Sequence, residues 1–425
     1  MHEHHILFML NNRALVKYMH GISDIWSDKL VIENYHLFAR GYLDSLGKMP
    51  SYNGIFEPEE KAYHIEKAVE ALKEQHPNES TYRRSTEFFI DEIAFIQKFG
   101  FPDLDTYNEA DRIGRAAANI RRENRKWIYA AYEKYKELRE AAGRKYDWDD
   151  LAFYVYNELQ NDDRFRMYSH IIVDEGQDFS PMMIKSLVDA VADDGSFTFF
   201  GDVAQQIYGS RLSWRDSGIN VEKVWRFEVN YRNPATITAF ATDLTKSKYW
   251  LHDDDMVEAT SQIAEGPKPT LIGFTSEQRE IEWVVERAIS IGRTSSTVIV
   301  CRNRADIDSF LHILKNKGYS ATEINRYTPG FAHINTVYLT TYHAAKGLEF
   351  DNVFIPHLTD DKLPDPETVA NAVSVKDAYA DELKLLYVAV TRSKYGLYMT
   401  YSNNITPLFP KDTDSYDYHY EEDMI

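Results

Sequence analysis

The sequence predicts an α/β protein of two lobes, each built on a parallel sheet, with a helical insertion in the first. Three observations predict it. Apolar runs of strand length alternate with helix-length amphipathic stretches, the order that produces parallel sheets covered on both faces. The alternation falls in two blocks, one that resumes at residue 168 and one that begins near 234. Between residues 51 and 165 it gives way to Lys-, Glu-, Arg- and Tyr-rich stretches with apolar residues at helical spacing and few turn signals.

In order, "HILFML" at 5–10 predicts a strand, "NNRALVKYM" at 11–19 a helix, and "LVIENYHLFARGY" at 30–42 a strand that passes into a helix. Stretches such as "NRKWIYAAYEKYKELREAAGRK" at 124–145 form the insertion, placed at about 50–165. "HIIVDE" at 170–175 and "FTFFGD" at 197–202 are apolar strands that end in acids, with a helix over 181–192, "PMMIKSLVDAVA", between them. The second lobe, 234–405, alternates the strands "PTLIGF", "STVIVCR" and "TVYLTTY" with the helices "SEQREIEWVVERAISIG" and "ADIDSFLHILKNKGY". Residues 406–425 make an acidic tail, and its Tyr-rich end without apolar period predicts a segment that is loose or docked on a basic surface. The first lobe takes residues 1–233.

A chain of 425 residues exceeds one ordinary core, in keeping with this division. The single cysteine, Cys301, excludes an internal disulfide and a Cys-cluster zinc site. No apolar run reaches membrane-spanning length, and "MHEHHILFML" lacks the pattern of a signal peptide, so a cytoplasmic protein with no membrane partner is expected. The net charge of −19 argues against a protein that simply coats nucleic acid, because phosphate binding accumulates Lys and Arg. A local groove remains compatible with it. The densest basic run, "RIGRAAANIRRENRK" at 112–126, reads first as a solvated helix face.

Chemistry concentrates in "IIVDEGQDFS" at 171–180, where a buried strand runs into Asp174 and Glu175. Open α/β sheets bind ligands at such strand ends. One strand-end Asp suits Mg2+, which prefers oxygen ligands and keeps several waters, and an adjacent Glu can deprotonate an attacking water. A helix cap or solvated turn would look the same, so the pair alone is weak. Four further segments follow in order: "GDVAQQIY" at 201–208, "NYR" at 230–232, "TTYHAAKGLEF" at 340–350 and "LYVAVTR" at 386–392.

Together with "VDEGQD", these segments resemble the ordered motifs of UvrD/Rep/PcrA-like helicases of superfamily 1. "ILFMLNNRAL", "IENYHLFA" and "YDWDDLAFYV" resemble further family segments, so the resemblance spans residues 6 to about 400. It implies two RecA-like lobes and an ATP- and Mg2+-dependent translocase or helicase acting on single-stranded or partly duplex DNA, moving 3′ to 5′ as relatives do. By resemblance, Asp174 binds Mg2+ and Glu175 is the catalytic base. Gln205 senses the terminal phosphate, Tyr231 stacks on adenine and Arg232 reaches the γ-phosphate. Glu349 and Gly347 contact the nucleotide from the second lobe, and Arg392 is the arginine finger. Planar guanidinium groups suit phosphate oxygens, and phosphoryl transfer needs cations around developing charge. For the DNA strand the resemblance points to Tyr35, His36, Thr341 and His343, with Tyr208 and Trp214 as stacking residues. Core packing explains Tyr208 and Trp214 equally well, and His36 and His343 also fit satisfied buried histidines.

The chain departs from the family pattern in several places. The phosphate-binding loop G-x-x-x-x-G-K-S/T does not occur in it. "GYLDSLGKM" at 41–49 has one residue too many between its glycines and Met49 where a hydroxyl is needed, and "GRTSST" at 292–297 lacks the lysine. The chain thus starts after that loop, by truncation or by genuine loss. The retained Asp174, Glu175, Arg232 and Arg392 favour truncation. "YGSRLSW" stands where the family has "YGWRGA", and Asn34 where it has Thr. About 110 residues separate "NYR" from "TTYHAAKG", so the second accessory subdomain is expected to be small or missing.

The expected function is an ATP-driven single-stranded-DNA translocase that is inactive without the missing loop. The alternative is a catalytically silent module that binds DNA or regulates a protein partner within a repair or defence system. A metal-dependent nuclease is disfavoured, because no acidic cluster lies outside the ATPase motifs.

Overall fold

Parallel strands organise both halves of the chain. The computed structural model describes residues 5–10, 16, 29–49, 54–110, 120–164, 166, 168–201, 225, 227, 229–250, 260–261, 266–324, 334–372, 374–411 and 413–424. These divide into two compact units, one within residues 5–201 and one within 225–424. The architecture is α/β with parallel sheets, consistent with RecA-like lobes.

The first unit contains β1 (His5–Leu10), β2 (Leu30–Asn34), α1 (Tyr35–Ser45), β3 (Ile55–Phe56), α2 (Pro58–Gln75), α3 (Thr86–Phe99) and α4 (Leu104–Glu109). It continues with α5 (Arg122–Ala141), β4 (Tyr146–Asp147), α6 (Leu151–Leu159), β5 (Tyr168–Val173), α7 (Pro181–Asp189) and β6 (Val191–Phe199). Its sheet runs β2-β1-β5-β6, all parallel. Leu7, Met9, Ile171 and Val173 of the central strands are fully buried against Tyr35 and Phe38 of α1 and Leu187 of α7. The helix expected over 181–192 ends at Asp189, and β6 begins two residues later. Ser180 caps α7 by accepting from the Met183 amide at 3.2 Å, with Pro181 in its first turn.

Helices α2–α5 pack around a second core that includes Ile65, Phe89, Ile96, Ile128 and Tyr135. A buried polar cluster ties that core to the β4–α6 segment. Asp147 accepts from Gln97 Nε2 at 2.7 Å, Tyr135 Oη at 2.7 Å and Arg139 Nη1 at 2.9 Å, and Lys61 Nζ lies at 3.3 Å. Arg139 also donates to Asp150 at 2.6 Å, and Lys61 to Asp149 at 2.6 Å. Buried charges persist only where paired and hydrogen-bonded, as these are. The insertion is not purely helical, since β3 and β4 pair in parallel within it.

The second unit contains β7 (Val229–Asn230), α8 (Ala235–Thr245), β8 (Thr260–Ser261), β9 (Thr270–Phe274), α9 (Glu277–Gly292), β10 (Thr297–Cys301), α10 (Arg304–Asn316) and β11 (Ala321–Glu323). There follow β12 (Val337–Thr341), β13 (Phe350–Ile355), α11 (Pro366–Asn371), α12 (Val375–Val390), β14 (Ser393–Ser402) and β15 (Asp417–Tyr420). The sheet order is β11-β12-β10-β13-β14-β9-β15, parallel throughout. Along β10, Val298 and Val300 enter one buried cluster while Ile299 and Cys301 enter another. That two-residue period means both faces of the sheet are covered, which explains why this strand is apolar end to end.

The acidic tail differs from expectation. Asp417–Tyr420 adds an edge strand to β9, with Tyr418 and Tyr401 hydroxyls 2.9 Å apart and Thr275 donating to Glu421 at 2.5 Å. Backbone pairing outweighs the acidic side chains here, because an edge strand leaves them solvated.

Candidate functional site

In the first unit, the parallel sheet delivers two carboxylates at the carboxyl end of β5. The ladder runs one residue past the strand, since the Asp174 amide donates to the Met9 carbonyl at 3.0 Å. The chain then turns at Glu175, whose φ of 53° is left-handed. A non-glycine residue holds that conformation only where its surroundings enforce it. Two contacts do so: the Glu175 amide donates to Asp174 Oδ1 at 2.9 Å, and Gln177 Nε2 donates to Glu175 Oε2 at 2.6 Å. Behind the turn, the Gly176 amide donates to the Phe200 carbonyl at 2.8 Å, and a Cβ on Gly176 would lie 2.2 Å from the Phe199 ring. Asp174 and Glu175 are both half-buried. Their oxygen-only donor set at a sheet edge suits a hard cation that keeps its waters.

Two strands away in the same sheet, β2 passes directly into α1 through Asn34, whose side chain accepts from the Leu37 amide at 3.2 Å. Tyr35, expected to touch a DNA strand, is instead 1% exposed, with its hydroxyl 2.6 Å from Ser186 Oγ and its ring edge-on to Phe179. Burial raises its pKa, so the phenol stays neutral. The burial has a simple cause: the first residue of α1 points back over the sheet, and a core position accepts an aromatic ring. His36, next in sequence, is half-buried and meets the Trp148 ring edge-on at 5.1 Å.

In the second unit, three segments distant in sequence converge. Asn230 Oδ1 accepts from the amides of Arg232 and Asn233 at 2.8 and 3.1 Å, which shapes the turn after β7. Asn233, buried, donates to the carbonyls of Thr391 and Ser393 at 3.0 and 2.6 Å. Arg232 Nε pairs with Glu349 Oε1 at 2.5 Å. The Phe350 amide donates to the Arg392 carbonyl at 3.0 Å. Thus Arg232, Glu349 and Arg392 are brought together, with Tyr231 alongside at 73% exposure and Gly347 holding a left-handed turn at φ 78°.

Arg392, which the resemblance makes an arginine finger, sits inside the fold in this structure. It is fully buried, and its guanidinium donates to the Val388 carbonyl at 2.9 Å, Thr391 Oγ1 at 3.0 Å and the Leu348 carbonyl at 3.4 Å. These partners belong to its own unit, and through them the side chain braces the joint between α12 and the segment that enters β13.

Thr341 ends β12, and its side chain and carbonyl accept from the Ala344 and Ala345 amides at 3.2 and 2.9 Å. His343 is half-buried; burial, and then the positive charge of Arg302, lower its pKa. It is therefore neutral at neutral pH. Arg302 is held by Glu382 through contacts of 2.7 and 2.5 Å. Asn233, Arg302 and Glu382 were not singled out from sequence. The available signals were slight: Asn233 directly follows "NYR", and Arg302 closes the apolar strand "STVIVCR". Gln205, Tyr208 and Trp214 lie outside the described residues.

Residues 5–222 match the model of the UvrD/REP helicase N-terminal domain, just over half of the chain. The chain belongs to the UvrD/REP helicase family. Residues 325–404 also match the UvrD-like helicase C-terminal domain. The first match takes in Tyr35, His36, Asp174 and Glu175; the second takes in Thr341, His343, Gly347, Glu349 and Arg392. Over 402 residues the chain is 23% identical to a probable DNA helicase of Mycoplasma pneumoniae, covering 87% of this chain and 68% of that one. It is 26% identical over 354 residues to a putative ATP-dependent DNA helicase of Acanthamoeba polyphaga mimivirus, covering 78% of this chain but only 46% of that one. A 65-residue segment is 42% identical to the ATP-dependent DNA helicase Rep of Buchnera aphidicola, or 15% of this chain and 9% of that one. Among the described residues, no helix is long and apolar enough to cross a membrane.

Proposed function

We propose that this family member is the motor portion of an ATP-driven translocase or helicase that moves 3′ to 5′ on single-stranded DNA. The observation that carries this reading is the Asp174–Glu175 pair, held by its turn at the carboxyl edge of a parallel sheet within the matched N-terminal domain. Asp174 would hold Mg2+, which when bound supplies charge to the phosphates. Glu175 would orient and deprotonate the attacking water. Tyr231 is exposed and suits adenine stacking. Arg232 would exchange Glu349 for a γ-phosphate oxygen, and a guanidinium makes that exchange without changing its own charge. Arg392 would reach phosphate only after leaving the Val388 and Leu348 carbonyls and Thr391 Oγ1. His36, Thr341 and His343 would line the strand's path, joined by Tyr208 and Trp214, while Gln205 would couple phosphate to strand.

The phosphate-gripping pattern G-x-x-x-x-G-K-S/T is not among these 425 residues, so the polypeptide by itself is proposed to bind a strand without ATP turnover. Binding of labelled oligothymidylate by anisotropy, together with ATP hydrolysis with and without that strand, tests this. Strand binding with turnover no higher than a Glu175→Gln control is expected. Failure to bind the strand sinks the translocase reading, and turnover above the control sinks the requirement for the loop. Joining the chain to a relative's phosphate-loop segment separates a motor, which gains hydrolysis, from a silent DNA-binding or regulatory module, which does not.

A further inference from the structure

The family motifs leave unexplained why a cluster of buried charge sits between the helical insertion and the sheet, and what the residue at its centre does. Trp148 lies between Asp147 and the Asp149–Asp150 pair. The amides on either side of it are fixed: Asp147 N donates to Asp150 Oδ1 at 2.9 Å, and Asp149 N donates to Asp147 Oδ1 at 2.9 Å. Those carboxylates are held in turn by Lys61 of α2, Gln97 of α3, and Tyr135 and Arg139 of α5. The indole is fixed at its far edge as well, where Nε1 donates to Glu57 Oε2 at 3.2 Å at the start of α2. Held at both ends, the ring meets the His36 imidazole at 5.1 Å with the planes at 80°. Edge-to-face aromatic pairs of this geometry are attractive and directional.

From this we infer that Trp148 is a positioning residue: it sets the His36 ring for contact with a nucleic-acid strand, and the insertion transmits its own placement to α1 through the buried cluster. The inference rests on the strand-binding reading proposed above. It gives the cluster a consequence that packing alone lacks, since His36 stands at the carboxyl end of β2, at the same sheet edge as Asp174. A side chain of many rotamers is poor at strand contact until a neighbour removes them, and a rigid indole does so.

The test is a double-substitution cycle on the full chain, read by oligothymidylate anisotropy, with thermal melting to confirm folding. Trp148→Ala should weaken binding about tenfold and Trp148→Phe should restore most of it, because the smaller ring keeps the edge-on contact. His36→Ala should weaken binding to a similar degree, and His36→Ala combined with Trp148→Ala should lose little more than either alone. Folded Trp148→Ala protein with wild-type affinity overturns the inference, and so do losses that multiply in the double variant. If Trp148→Ala does not fold, the same cycle run with Trp148→Leu decides by the same criteria. A wild-type chain that binds no strand removes the translocase reading and this inference with it. A wild type that binds while the cycle shows no coupling removes the inference alone.

Discussion

At the scale of single residues, burial decides which motif positions face a ligand. Tyr35 makes the point, because its hydroxyl is taken by Ser186 and its ring by the core. Tyr35→Phe should therefore cost about 1 kcal/mol in urea unfolding, the worth of one buried neutral hydrogen bond, while strand affinity stays within about twofold. A large loss of affinity at unchanged stability would show that Tyr35 contacts the strand. Asp150 makes a second point. Burial, and then the charge of Asp147, push its pKa up to about 7. Asp147 is held below the usual carboxylate range although burial opposes this, because Lys61 and Arg139 favour its charged form. The two act oppositely on stability. Native Asp150 keeps its proton where the unfolded chain has lost it, so its contribution is full below about pH 4 and declines as pH rises to about 7. Asp147 contributes above the usual carboxylate range and loses that contribution in acid. Asp150→Asn, neutral at every pH, should remove the decline between about pH 4 and about 7, as urea midpoints across that range would show.

At the scale of elements, turns and edges carry the specificity. The Asp174–Glu175 turn depends on a glycine pressed against Phe199. Gly176→Ala should destabilise the first unit by about 1–3 kcal/mol, the usual cost of overpacking, and Phe199→Leu on the same chain should recover part of it. No recovery would mean that the backbone, rather than the ring, is what yields. At the other end of the chain, β15 covers the open edge of β9. Removing residues 413–425 should expose that edge, lower the melting temperature and promote self-association detectable by light scattering. A truncated chain that stays monomeric with an unchanged melt would show that the edge strand is dispensable.

At the scale of the whole molecule, charge bounds the kind of DNA contact. With a net charge of −19, a short basic path along a strand is expected rather than an extensive basic groove. Two to four phosphate contacts predict a log–log salt slope of roughly −1.5 to −3 for single-stranded DNA. A much steeper slope would point to an extensive basic groove. The family matches fall on the two sheet-bearing units: residues 5–222 take in Asp174 and Glu175, residues 325–404 take in Glu349 and Arg392, and Arg232 lies between the two matched segments.

Alternation of apolar strands with amphipathic helices was enough to predict parallel sheets, and the order of short polar motifs at strand ends was enough to predict the family. Those features are local, so composition and spacing expose them. The rest depends on partners that spacing does not show. Tyr35 meets Ser186 across 151 positions, and Asn233 meets the Thr391 carbonyl across 158. Burial of Arg392 and the pairing of Arg232 with Glu349 arise in the same way. The tail's strand was hidden because its signal is backbone pairing with β9, to which acidic and tyrosine side chains are indifferent at a solvated edge. What the sequence determined by itself is the fold class and the two carboxylates that end β5. Only the tertiary structure decided which aromatic and cationic side chains remain available to a ligand, because availability is settled by long-range packing.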